Sequence, residues 1–124
     1  MPKLSMLGIA IIITVITAVG RDSLLDIGAL LVVLVLIHNI LGYAFGYGSA
    51  KLFGMGEASS RIIAFEVGMQ NSGLASGIAV EMGRVASMGL APAVFGPIMN
   101  ITSSSIAAWW RGKKTVISIE ENQR

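Results

Sequence analysis

One carboxylate in this 124-residue chain stands apart from every other charge. Glu66 lies in the otherwise uncharged stretch from Ile62 to Val80, within the run Phe65-Glu66-Val67-Gly68-Met69-Gln70-Asn71-Ser72-Gly73-Leu74-Ala75. An acid inside an apolar stretch of spanning length costs several kcal/mol to place there, so it marks an ion or substrate path unless it pairs with a base on another helix. Glu66 and Gln70 are four residues apart, which puts them on one helix face, and Asn71 follows about 100° further round. Gly68, Asn71, Ser72 and Gly73 are poor helix formers, and their clustering predicts a helix that opens near its centre. An opened helix frees carbonyls, which a bilayer tolerates only where they line a cavity or bind an ion. A carboxylate, an amide oxygen and free carbonyls form an all-oxygen set for a small hard cation. Na⁺ suits the membrane setting, and a coupling proton on Glu66 is the other functional reading. The second half-helix would offer its first N–H groups, near Ser72 and Gly73, to an anionic substrate.

A milder polar cluster follows: Asn100, Thr102, Ser103, Ser104 and Ser105, downstream of Pro92 and of Pro97, which should kink its helix. Asn100 either faces the same cavity as Gln70 and Asn71 or makes an interhelical hydrogen bond. Asn100-Ile101-Thr102 matches a glycosylation sequon but lies inside a span. Gly68 and Gly73 have the spacing of a phosphate-binding loop, yet Leu74-Ala75 follows where Lys-Ser/Thr is needed. There is no Cys and one His, His38, which excludes thiolate sites and multi-His metal sites. His38 reads as a hydrogen-bonded packing residue. No catalytic triad, metal cluster or cofactor loop is present, so the chain reads as a non-enzyme without a cofactor.

The elements that must position these residues follow from the charges. The chain is 54% hydrophobic and 13% charged, about half the charge of a typical soluble domain, and its mean hydropathy is +0.77. Net charge is +2, from nine basic and seven acidic residues. The charges bound four apolar stretches, read as spans over about 4–20, 27–50, 60–81 and 88–110. The expected fold is therefore all-α: a polytopic membrane protein of four transmembrane helices, the third broken near its middle. Residues 1–114 form the transmembrane region and 115–124 a polar cytoplasmic tail. The first stretch lacks a convincing cleavage site before Arg21 and reads as a retained span. With four spans, Lys3, Lys51, Arg61, Arg111, Lys113, Lys114 and Arg124 fall on one side, and Arg21 and Arg84 on the other. The basic-residue rule then makes both termini cytoplasmic. Trp109-Trp110-Arg111 reads as an interfacial anchor, and Gly42-x-x-x-Gly46 as a close-packing helix face.

The run Glu66-Val67-Gly68-Met69-Gln70-Asn71-Ser72-Gly73-Leu74 resembles the crossover-helix signature of the bile acid:sodium symporter (BASS) family. His38-Asn39-x-x-Gly42-Tyr43-x-x-Gly46-Tyr47 and Ala91-Pro92-Ala93-Val94-Phe95 with Asn100-Ile101-Thr102 resemble two further regions of it. The resemblance implies ten spans built as two inverted repeats of five, of which this chain matches the seventh to tenth. It implies Glu66 and Gln70 as sodium ligands, joined by the backbone carbonyls of Val67 and Met69. Asn71, Ser72, Gly73 and Asn100 are then expected on the substrate side. The departure is Ile98-Met99, where many relatives have an aromatic and a His. The implied function is the C-terminal part of a sodium-coupled organic anion symporter for bile acids or pantoate-like acids, with Na⁺ as coupling ion. The alternative is a truncated or split-gene protein that acts only with a separately encoded N-terminal half. Expected partners are the organic anion, the bilayer and that N-terminal half, with no nucleic acid; the expected location is a cell membrane, the inner one of a bacterium.

Overall fold

A computed structural model describes residues 2–112, so Lys113, Lys114 and the expected tail over 115–124 lie outside the described residues. The described residues form helices and turns, with no strand among them. The helices are α1 (Pro2–Val19), α2 (Arg21–Leu52), α3 (Glu57–Gly68), α4 (Ser72–Glu81), α5 (Val85–Met88) and α6 (Leu90–Arg111). Two tracts, Arg21–Leu52 and Val85–Arg111, are long and apolar enough to cross a bilayer; Met6–Val19 is a shorter apolar helix. The third expected span is interrupted. α3 has 12 residues and α4 has 10, so they rise about 18 Å and 15 Å, and neither alone crosses a core of about 30 Å.

One boundary differs from expectation. Residues 21–26, expected as a loop, form the first turns of α2, where Asp22 sits favourably at the positive end of the helix dipole. Only Gly20 separates α1 from α2, and helical hydrogen bonds run through it: it donates to Ile16 and accepts from Leu24, both at 2.9 Å. Pro97 lies inside α6 without ending it. The sharp stops are made by glycine. Gly54 and Gly83 have φ of +73° and +64°, and each reverses the chain so that the last carbonyls of α2 and α4 are taken up. Gly54 and Met55 donate to Lys51 and Ala50, and Gly83 and Arg84 to Val80 and Ala79.

The described residues divide into two compact units, one of residues 2–38 and 71–98, the other of 39–70 and 99–112. The first holds α1, α4, α5 and the N-terminal parts of α2 and α6. Its core is apolar: Ile16, Leu90 and Ala93 are buried, with Ile12, Ile13, Leu24, Leu31 and Val85 packed against them. The second holds α3 and the C-terminal parts of α2 and α6. Its buried residues are small or polar, including Asn39, Ser60, Ala64 and Ser103, with Tyr43 the exception in size. Small residues let these backbones approach closely, as membrane helices require.

Candidate functional site

In the second unit, α2 lies against α3 along the glycine face read from the sequence. A Cβ on Gly46 would sit 2.8 Å from the Ile63 carbonyl and 2.9 Å from the Ala64 Cα; one on Gly42 would sit 3.0 Å from the Gly68 Cα and 3.1 Å from the Val67 carbonyl. A side chain at either position would push α3 away. Tyr43, between these glycines, lays its ring over Gly68, leaving no room there for a side chain, and meets Phe65 edge-on at 5.9 Å.

The positions expected as sodium ligands, Glu66, Val67, Met69 and Gln70, lie together at the end of α3, all within this unit. α3 ends at Gly68, and Met69 is extended, with φ −86° and ψ 103°, its N–H donating to Phe65 at 2.7 Å. The shared face expected for Glu66 and Gln70 is therefore not formed: the helix ends before Gln70 is reached. Both side chains are exposed, as are Val67 and Met69. Among the described residues none hydrogen-bonds or ion-pairs with the Glu66 carboxylate. The structural alternative, an acid fixed by a base on another helix, is not found among them.

The residue missed in the sequence is Asn39. It is fully buried; its Nδ2 donates to the Gly68 carbonyl at 2.9 Å, and its Oδ1 accepts from the Thr102 hydroxyl. The interhelical hydrogen bond weighed for Asn100 is thus made two residues later, by Thr102. Asn100 itself is exposed. His38, read as the packing residue of this pair, is exposed and meets Phe95 edge-on at 5.8 Å within the first unit. The fully buried member of the pair is its neighbour, Asn39. Only one signal pointed to Asn39, an amide in an apolar stretch, and His38 beside it drew the reading away.

Of the residues expected on the substrate side, Asn71, Ser72 and Gly73 belong to the first unit, and Asn100 to the second. Asn71 caps α4, its Oδ1 accepting from the Leu74 N–H at 2.9 Å. Ser72 and Gly73, with Ser76, line a cavity of about 10 Å³ against Ile9, Ile12 and Ile13, barely room for one water. No organic anion fits it. In the second unit an apolar groove of about 370 Å³ runs beside Phe45, Gly46, Gly48, Leu52 and Val67. It has ligand-like size but no charged lining group.

At the far end of α3 the second unit carries a charged and aromatic cluster centred on Glu57, which with Lys51 lies outside the expected spans. Glu57 accepts from Lys51 and Arg61 at 2.7 Å and from the Tyr47 hydroxyl at 2.8 Å. These donors, Lys51 first, hold its carboxyl down at about 2, from an ordinary 4.5. Arg61 also donates to the Trp110 carbonyl at 3.3 Å and lies over the Trp110 ring. Trp110 is packed against Tyr47 and Phe65, while Trp109 is exposed. Trp109 stacks on Trp110 with ring centres 6.3 Å apart, and Trp110 joins α6 to α2 and α3 through Tyr47 and Phe65.

No family model matches the chain. It is similar to the uncharacterized sodium-dependent transporter YocS of Bacillus subtilis (strain 168), 37% identical over 91% of this chain and 35% of the relative. Two Arabidopsis thaliana proteins also match: the probable chloroplastic sodium/metabolite cotransporters BASS5 and BASS1. They are 28% and 31% identical, over 92% and 90% of this chain but 29% and 28% of their own lengths. The chain therefore spans about a third of the curated relatives it matches. The relatives are transporters rather than enzymes, and with the two apolar helices of spanning length they make this an integral membrane protein.

Proposed function

The chain is a homologue of the sodium/metabolite cotransporters of the BASS family, and on that premise we propose that it is the C-terminal part of a sodium-coupled organic anion symporter. The observation that carries the reading is the break at 69–71, one turn after an intramembrane acid without a partner among the described residues. Na⁺ is held there by the Glu66 carboxylate, the Gln70 amide oxygen and the carbonyls of Val67 and Met69. Those carbonyls belong to a helix end, where the intrahelical N–H partners run out. Binding of the cation neutralises Glu66, which removes the cost of a bare carboxylate in the bilayer. Occupancy of the site then favours closure around the anion, and alternating access exposes both to each side in turn.

The anion is an organic acid of the bile acid or pantoate-like kind, met by Asn71 and the first N–H groups of α4. An N-terminal transporter half supplies the remaining walls, since the cavity beside Ser72 and Gly73 is far below substrate size. The proposed location is a bacterial cell membrane with both termini cytoplasmic.

The test is uptake of labelled organic acids into vesicles holding this chain together with its N-terminal half. Replacing Na⁺ by K⁺ is expected to lower uptake at least tenfold, and Glu66→Ala to remove that Na⁺ dependence. Full uptake without Na⁺ contradicts the coupling. If uptake follows a proton gradient instead, Glu66 is a proton carrier and the sodium assignment fails.

A further inference from the structure

The local sequence does not account for where α3 stops. Met69 and Gln70 are both good helix formers, yet Met69 is extended and Gln70 lies outside the helix. In an uninterrupted helix the Gly68 carbonyl would accept the N–H four residues on, that of Ser72. Here it accepts from Asn39, 29 residues away on α2. A carbonyl can only accept, so this contact also fixes which way round the Asn39 amide stands, and its Oδ1 is left to take the Thr102 hydroxyl. One turn further along α2, the Tyr43 ring covers Gly68 and holds α3 against Gly42.

We propose that Asn39 and Tyr43 form a clamp on Gly68 that ends α3 from outside its own sequence, with Asn39 taking the carbonyl through which the helix would otherwise continue into α4. They are positioning residues. The clamp consumes the Gly68 carbonyl and keeps Met69 extended, so that the carbonyls on either side, those of Val67 and Met69, remain outside the helical ladder. Their use as sodium ligands rests on the reading given above; the clamp itself does not.

Without Asn39 the Gly68 carbonyl is orphaned in an apolar setting, and the nearest repair is to wind residues 69–71 into helix and accept from Ser72. Amide hydrogen exchange of the full chain in detergent micelles, without Na⁺, reads this directly. Asn39→Ala is expected to slow exchange at the Ser72 amide at least tenfold while α1 stays within twofold of the parent chain. Loss of mere packing would speed exchange at Ser72, and faster or unchanged exchange there overturns the proposal. If Asn39→Ala does not fold, Thr102→Val removes only the hydroxyl that steadies Asn39. It is expected to slow Ser72 exchange in the same direction, and Thr102→Ser to restore the parent rate; equal behaviour of the two overturns the proposal. In the assembled transporter Asn39→Ala is further expected to raise the Na⁺ concentration for half-maximal uptake about tenfold. An unchanged Na⁺ requirement alongside slowed Ser72 exchange contradicts the sodium-ligand reading and leaves the clamp standing.

Discussion

The end of α3 and the start of α4 are three residues apart in sequence, yet they are made in different ways. α4 begins with a cap drawn from its own sequence, Asn71 accepting from the Leu74 N–H three residues on. α3 ends because Asn39 and Tyr43, far back along the chain, hold Gly68 by its carbonyl and its bare α-carbon. A local cap travels with the segment that carries it, whereas a tertiary clamp fails when its supports move. The break at 69–71 is therefore stable only while α2, α3 and the last turns of α6 stay together. A discontinuity held in this way can also be released by a shift of those helices, which suits the alternating access proposed above.

The contrast is broken most severely at Gly68. Gly68→Ala drives a methyl group into the buried Tyr43 ring and is expected to cost about 3 kcal/mol in unfolding by SDS titration. The matched change in α4, Gly77→Ala, meets open space and is expected to stabilise by about 1 kcal/mol. Equal effects would mean that Gly68 is not clamped. A smaller effect is expected at the cap. Asn71→Ala should cost about 1 kcal/mol, and Asn71→Ser, which keeps an acceptor oxygen, much less; the same titration measures both.

The smallest effect concerns the other end of α3. The Glu57 carboxyl lies below its ordinary value in the folded protein, so its contribution to stability is present above pH 4.5 and lost as pH falls through about 2. Trp110 is tied to the same cluster through Arg61. Its fluorescence is expected to change between pH 4.5 and 2, more weakly at high salt, and not at all in Glu57→Gln.

The helical fold and the opening of the third helix were legible because they are written in short-range patterns. Apolar stretches bounded by charges predict helices, and Gly68, Asn71, Ser72 and Gly73 together predict a break. Gly42 and Gly46 likewise announced a close-packed face. The face shared by Glu66 and Gln70 was misjudged because periodicity assumes that the helix continues through Met69, and the chain there is extended. Asn39 was illegible for a different reason. Its partners lie 29 and 63 residues away, and nothing in the spacing of one helix states which carbonyl on another it will meet. The packing of Trp110 was illegible for the same reason, since Arg61 and Tyr47 are remote in sequence.

Thermal unfolding of the chain, alone and with the proposed N-terminal half, with NaCl or KCl at equal ionic strength, tests the proposed sodium site most directly. A cation bound only by the folded state stabilises it in proportion to its affinity. Na⁺ is expected to raise the midpoint in a saturable way, K⁺ not to, and Glu66→Gln to abolish the difference. A midpoint that responds equally to both cations, or a Na⁺ response that persists in Glu66→Gln, would contradict the assignment of the break to sodium.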